Sequence, residues 1–277
     1  MDIIAKISEE LGIKRHQTEA AVKLIDEGNT IPFIARYRKE ATGALNDEVL
    51  RNLSERFTYL RGLEERKETV LASIEEQGKL TDELKAQILS AETMVLLEDL
   101  YRPYKPKRRT RATIAKEKGL EPLAGVITLQ MIKTPLIEEA AKYVDAEKGV
   151  TTAEEAIAGA SDIIAESISD EADYRTHIRD LTVKKGRMTS TAKDPETESV
   201  YEMYYDFDEP VAKLAGHRIL AVNRGEKEKF LTVKIEAPQE DILRYLEKKV
   251  IVRDNPQTNE VLRDVVRDAY DRLIAPA

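Results

Sequence analysis

The chain has 277 residues, 42% of them hydrophobic and 35% charged, with no cysteine, no tryptophan and a formal net charge of −8. A chain of this length buries enough surface to fold without a disulfide or metal, and the lack of cysteine excludes thiolate chemistry and fits a reducing, cytoplasmic setting. No apolar run approaches the roughly 18 residues that a membrane span requires, and no signal-peptide core is present, so a membrane partner is not expected.

Ile3, Ile4, Ile7 and Leu11 share one helical face, and Gly12 stops that helix. Ala20, Ala21, Leu24 and Ile25 mark a second helix ending at Gly28. Two short helices about a glycine turn are compatible with a helix-turn-helix and equally with any helical hairpin. Asn29-Thr30 is expected to cap a third helix, with Pro32 in its first turn, running through Phe33, Ile34 and Tyr37 into Arg36, Arg38 and Lys39. From Asp47 to Gln77 no proline intervenes, and Leu50, Leu53, Phe57, Leu60, Leu63, Val70, Leu71 and Ile74 form one stripe. This predicts a single helix of about 30 residues; its heptads fail near Glu64 and Lys67, which argues for packing against neighbouring helices over a coiled coil. Gly78 ends it and Thr81 caps the next.

Beyond a proline-containing loop, helices are predicted at about 136–146, 152–168 and 170–182. Lys184 to Lys193 is basic, and Phe230 to Ile235 is the best strand candidate, with Leu181-Thr182-Val183 as one guess at its partner. Helices from about 239 to 249 and 257 to 274 complete a mostly α fold: a multi-helix assembly with at most a small β element. The length allows one or two folding units, and no linker marks a boundary.

Charge is distributed unevenly. Leu136 to Tyr174 carries eleven acids against Lys142 and Lys148, a local charge of −9, which leaves the remainder near neutral. Leu100 to Lys116 carries seven cations and no acid. Within it, Arg102, Lys105, Lys107, Arg108, Arg109 and Arg111 crowd into ten residues. Pro103 and Pro106 bias their predecessors away from helix, so the segment is expected to be extended, with a rise of about 3.1 Å per residue close to the phosphate spacing of one nucleic-acid strand. Tyr101 and Tyr104 lie between the charges, where an aromatic face can stack on a base. These six cations and Tyr104 are the candidate nucleic-acid contacts, for RNA or DNA; six duplex phosphate contacts would give a salt slope of about −5. The alternative is a solvated loop, or one whose arginines pair with the acidic middle region. Lys184, Lys185 and Arg187, with Lys193, form a secondary basic patch, and Arg36, Arg38 and Lys39 a third; an ordinary exposed face is the competing reading of each.

Catalytic signals are poor. His16, His177 and His217 are the three histidines, without metal-binding spacing, and no phosphate-binding or nucleophile-elbow motif occurs. The expectation is no catalytic residue, no metal, no cofactor and no small-molecule substrate.

Three blocks resemble the Tex family of bacterial transcription accessory proteins: GNTIPFIARYRKEATGALNDEVL from Gly28 to Leu50, LEDLYRPYKPKRRTRATIAKEKGLEPLA from Leu97 to Ala124, and HRILAVNRGEKE from His217 to Glu228. With Ala156 to Glu166, AIAGASDIIAE, the similarity spans almost the whole chain. The resemblance implies the helical N-terminal region of such a factor, with a helix-turn-helix-like element, ahead of RNase-H-like, helix-hairpin-helix and OB-fold RNA-binding domains that this sequence does not contain. It implies an accessory role in transcription through nucleic acid. The alternative is a scaffold that organises those other domains or contacts the transcription machinery.

Overall fold

The computed structural model describes residues 2–106 and 108–277. These divide into two compact units, Met1–Tyr104 and Lys105–Ala277.

Among the described residues the first unit contains helices and no strand. Helices α1 (Ile3–Leu11) and α2 (Arg15–Asp26) are joined at Gly12, which closes α1 with φ 62°, a left-handed conformation that glycine adopts freely. Helix α3 (Ile31–Tyr37) carries Pro32 in its first turn. Thr30 is its N-cap residue but makes no side-chain cap bond. Asn29 acts on the preceding helix instead, donating its amide to the Leu24 carbonyl at 2.8 Å.

Helix α4 (Asp47–Glu76) is the spine. Asn46 caps it by accepting from the Val49 N–H at 2.8 Å, and it runs unbroken through Gly62. Helices α1, α2 and α3, together with α5 (Asp82–Ser90) and α6 (Met94–Tyr101), pack on it. Its buried side chains, Leu50, Leu53, Phe57, Leu60, Leu63, Lys67, Val70 and Ile74, recur at three- and four-residue spacing over its whole length. The apparent break in the pattern is thus a buried position. Lys67, 1% exposed, donates to the Leu89 carbonyl at 2.8 Å and pairs with Glu64 at 2.8 Å, which satisfies the ammonium inside the core.

The second unit builds on α10 (Ala153–Asp170). The shorter helices α7 (Arg111–Glu117), α8 (Glu121–Leu129) and α9 (Leu136–Ala140) precede it, and α11 (Ala172–Lys185) follows. Small side chains let α10 approach its neighbours closely: Ala156, Ala160 and Ala165 are fully buried, and a Cβ added at Gly159 would stand 2.4 Å from Leu120 Cδ1. The 136–146 helix of the sequence reading ends as α-helix at Ala140 and continues as short 3-10 turns over Ala141–Tyr143 and Ala146–Lys148.

Strands β1 (Arg187–Ala192) and β2 (Asp206–Pro210) follow. Next come α12 (Gly216–Lys227), β3 (Leu231–Glu236), α13 (Gln239–Val250) and α14 (Asn259–Asp268), the last extended by a π-helical turn over Ala269–Ile274. The sheet is antiparallel in the order β2-β1-β3, with Met188 opposite both Glu209 and Ile235. The partner of β3 is therefore β1, not Leu181-Thr182-Val183, which lies inside α11. Met188, Tyr201, Tyr204, Val222 and Leu231 form a small core of their own beneath the sheet.

Candidate nucleic-acid interface

The basic segment does not run extended throughout. Tyr101 closes α6, and Arg102–Tyr104 forms a 3-10 turn. Arg102 stays right-handed helical (φ −51°, ψ −44°) despite the proline that follows it. The bias before proline is overcome because the apolar ends of α6 are anchored. The Tyr101 ring is buried and its hydroxyl lies 3.0 Å from Ser73 Oγ; Tyr104 packs half-buried against the first unit's core, its carbonyl accepting from Gln77 at 2.9 Å. The Tyr101 ring is thereby committed to the interior and presents no free stacking face, whereas Tyr104 keeps part of its surface in solvent. Arg102 and Lys105 already interact with other groups of the chain. Lys107 lies outside the described residues.

The remaining cations belong to the second unit. Arg108 is exposed and has no partner among the described residues. Arg109, also exposed, pairs with Glu117 at 2.7 Å. Arg111 is the first residue of α7, held in place by Thr110, whose hydroxyl caps the helix by accepting from the Thr113 N–H at 3.1 Å. Its side chain lines a concavity with Lys118, Glu155 and Asp162. Burial raises the Asp162 carboxyl above its ordinary pKa, opposed by the positive charges of Arg272 and Arg111. Of the acidic middle region, Asp162 is thus within electrostatic reach of the segment, but its ion pair, at 2.9 Å, is with Arg272.

The secondary patch is half neutralised. Lys185 pairs with Asp241 at 2.7 Å and holds that carboxyl below its usual pKa, while Arg187 pairs with Asp208 across β1 and β2 at 2.6 Å. Lys184 and Lys193 stay exposed. The third patch is different. Arg36, Arg38 and Lys39 are all exposed and none has a carboxylate partner among the described residues. On α2, Arg15 is engaged by Asp2 and Glu19, which leaves the exposed Lys14 and Lys23 as the positive charges of the second helix without a carboxylate partner among the described residues. Among the described residues no group of three or more His, Asp or Glu is placed to hold a metal ion, and no helix is long and apolar enough to cross a membrane.

A helical assembly in two units, with a cationic stretch where they meet along the chain, is the class of protein that these features define. Residues 1–75 match the Tex-like protein N-terminal domain, and residues 133–275 match the Tex central region-like domain. The chain belongs to the Tex family. It is 48% identical to the protein YdcI of Bacillus subtilis over 98% of the chain and 38% of that protein. It is 45% identical to the transcriptional accessory protein Tex of Neisseria gonorrhoeae over 87% of the chain and 32% of that protein. The S1 RNA-binding domain-containing protein 1 of Homo sapiens is 27% identical over 99% of the chain and 29% of its own length. The chain thus spans about a third of the length of these relatives. The Arg102–Arg111 segment falls between the two matched regions.

Proposed function

We propose that this chain is the helical N-terminal region of a transcription accessory factor that contacts RNA or DNA through sequence-independent phosphate interactions and performs no catalysis itself. Relatives bearing the names transcriptional accessory protein Tex and S1 RNA-binding domain-containing protein 1 support the general role. The observation that carries the reading is Arg108: an exposed guanidinium without a carboxylate partner, flanked by Arg109 in a solvated pair and by Arg111 at the start of α7. Holding three cations within four residues is unfavourable unless an anion joins them, and arginine forks suit phosphate oxygens. Three contacts in place of six imply a salt slope of about −3 on duplex.

Fluorescence anisotropy with single- and double-stranded RNA and DNA at several salt concentrations tests this. Arg108→Glu with Arg109→Glu lowers affinity more than tenfold and flattens the slope. Unchanged affinity favours a second reading, a protein-binding scaffold, which rests on the acidic, solvent-facing side chains Glu154 and Glu155 at the start of α10 and Glu138 on α9.

A further inference from the structure

The first unit displays a second cationic surface, built differently from the segment above. Its arginines divide into two groups. Arg15, Arg51, Arg56, Arg61 and Arg66 each reach a carboxylate within 2.9 Å, and Arg102 has interactions of its own. Arg36 and Arg38 have no carboxylate partner among the described residues; they lie instead against aromatic rings. The Arg38 guanidinium sits 5.1 Å from the Phe33 ring centroid and that of Arg36 5.9 Å from Tyr37. Phe33 and Tyr37, one helical turn apart on α3, have ring centroids 5.3 Å apart. Tyr37 is 60% exposed, unlike the buried Tyr101 and half-buried Tyr104. Lys39 is exposed beside them.

The turn that carries these charges is fixed. Thr42, fully buried, donates its hydroxyl to the Arg38 carbonyl at 3.2 Å, and the Ala44 N–H bonds to the Lys39 carbonyl at 2.7 Å. From α2, the Gln17 amide reaches the carbonyls of Thr42 and Gly43 at 3.2 and 3.1 Å. Gly43 and Ala44 both take left-handed φ, 61° and 63°. Ala44 bears the strain of that conformation, and the clamp holds it there. The cost of ordering the turn is therefore met before any ligand arrives.

We infer that Phe33, Arg36, Tyr37, Arg38 and Lys39 form a binding surface for single-stranded nucleic acid. Its exposed tyrosine face accepts a base, and Arg36, Arg38 and Lys39 take the adjoining phosphates. Charge alone would suit any polyanion. The exposed ring, set among guanidiniums that have no carboxylate partner among the described residues, of which Arg38 donates to the Tyr37 carbonyl at 3.3 Å, selects a ligand that offers π-faces alternating with negative charge, which is the repeat of a single strand. A duplex hides its base faces, so it does not use the ring.

The test uses the 277-residue chain with uridine and deoxythymidine oligomers of about 12 nucleotides and with heparin as a polyanion lacking bases. Tyr37→Ala, at an exposed position, lowers affinity for both oligomers about tenfold and leaves heparin binding unchanged. Arg36→Ala, Arg38→Ala and Lys39→Ala combined flatten the single-strand salt slope by about 2. Equal weakening of heparin and oligomers by Tyr37→Ala, or an unaltered slope in the triple variant, overturns the inference. Running Arg108→Glu with Arg109→Glu beside them separates the two surfaces: loss of oligomer binding in that variant alone removes this surface and leaves the other standing.

Discussion

The Arg109 guanidinium lies 2.7 Å from the Glu117 carboxylate, with both side chains more than half exposed. An exposed pair of this kind contributes at most about 1 kcal/mol and is weakened by salt, so a phosphate competes with Glu117 for the arginine. Glu117→Gln removes the internal competitor and leaves the helix intact. If Arg109 serves as a nucleic-acid contact, its affinity for duplex rises up to about fivefold and the salt slope steepens toward one more full contact, with the melting temperature unmoved. Anisotropy titrations at three salt concentrations decide it; an unaffected affinity means that Arg109 faces solvent without meeting a ligand.

Lys67 is the buried cation of the first unit, and its replacement separates two costs. Lys67→Met keeps the volume but leaves the Leu89 carbonyl without its donor and takes one partner from Glu64, a loss of about 1–3 kcal/mol. Lys67→Ala adds a cavity to that loss and costs more. A chain of two units does not have to unfold in one transition, so hydrogen exchange is the suitable measurement. Amides of α4 and α5 exchange faster in both variants, while those of α10 keep their protection. Equal acceleration in both units would show that Lys67 is not a local support.

The same lysine marks where sequence stops short of structure. The length of α4 was readable because an unbroken stripe needs no tertiary information, whereas a lysine inside that stripe looks like a break in the pattern. Only the packing of α5, which brings the Leu89 carbonyl to the ammonium, makes the position interior. Strand β3 was readable from its alternation, but its partner was not: Thr182 and Val183 are β-branched yet lie inside α11, and the true partner, Arg187–Ala192, buries just Met188 and Ser190. Helix α12 was not predicted from the sequence; within it Gly225 allows a close approach, where an added Cβ would lie 2.6 Å from Leu231 Cδ1. At the basic segment the clustering of charge was plain, but the two prolines suggested an extended ribbon where the burial of Tyr101 keeps the first part helical. The isolation of Arg36 and Arg38 was not readable at all, because whether an arginine is paired depends on partners such as Glu10 for Arg56, 46 residues away.

Glycine positions offer a contrasting pair. At Gly159 an added methyl meets Leu120 Cδ1 at 2.4 Å and Ala115 Cβ at 3.4 Å, and Leu120 is buried with little room to move. Gly159→Ala therefore pushes α10 from α7 and α8, at about 1–3 kcal/mol. At Gly62, mid-way along α4, nothing lies within 4 Å of the added atom, and Gly62→Ala stabilises the first unit by about 1 kcal/mol through helix propensity. Calorimetry of the two variants should show shifts of opposite sign in transitions that belong to different units; the same sign in both would contradict the packing described.

The Arg56 guanidinium grips Glu10 with two bonds, of 2.6 and 2.7 Å, and so ties α4 to α1. Hydrogen bonding to Arg56 holds the Glu10 carboxyl below its usual pKa, against a smaller opposing effect of burial. A carboxyl whose folded pKa is depressed binds its proton more weakly than in the unfolded chain. The pair's contribution is therefore complete above the unfolded value of about 4.5 and is lost as pH falls through the folded value. Arg56→Gln takes away the charge that depresses the pKa, so carboxyl NMR should find Glu10 titrating at higher pH in the variant. Exchange of the α1 amides in the parent chain should accelerate as pH is lowered from about 5 to 3, after correction for intrinsic rates, and this acid-dependent component should shrink in Arg56→Gln, which starts from a weaker α1–α4 contact at neutral pH. Identical titration of Glu10 in the two proteins would mean that the guanidinium is not what sets its acidity, and that α1 is held by its other contacts, the packing of Ile3, Ile7 and Leu11 and the Lys6–Glu92 pair.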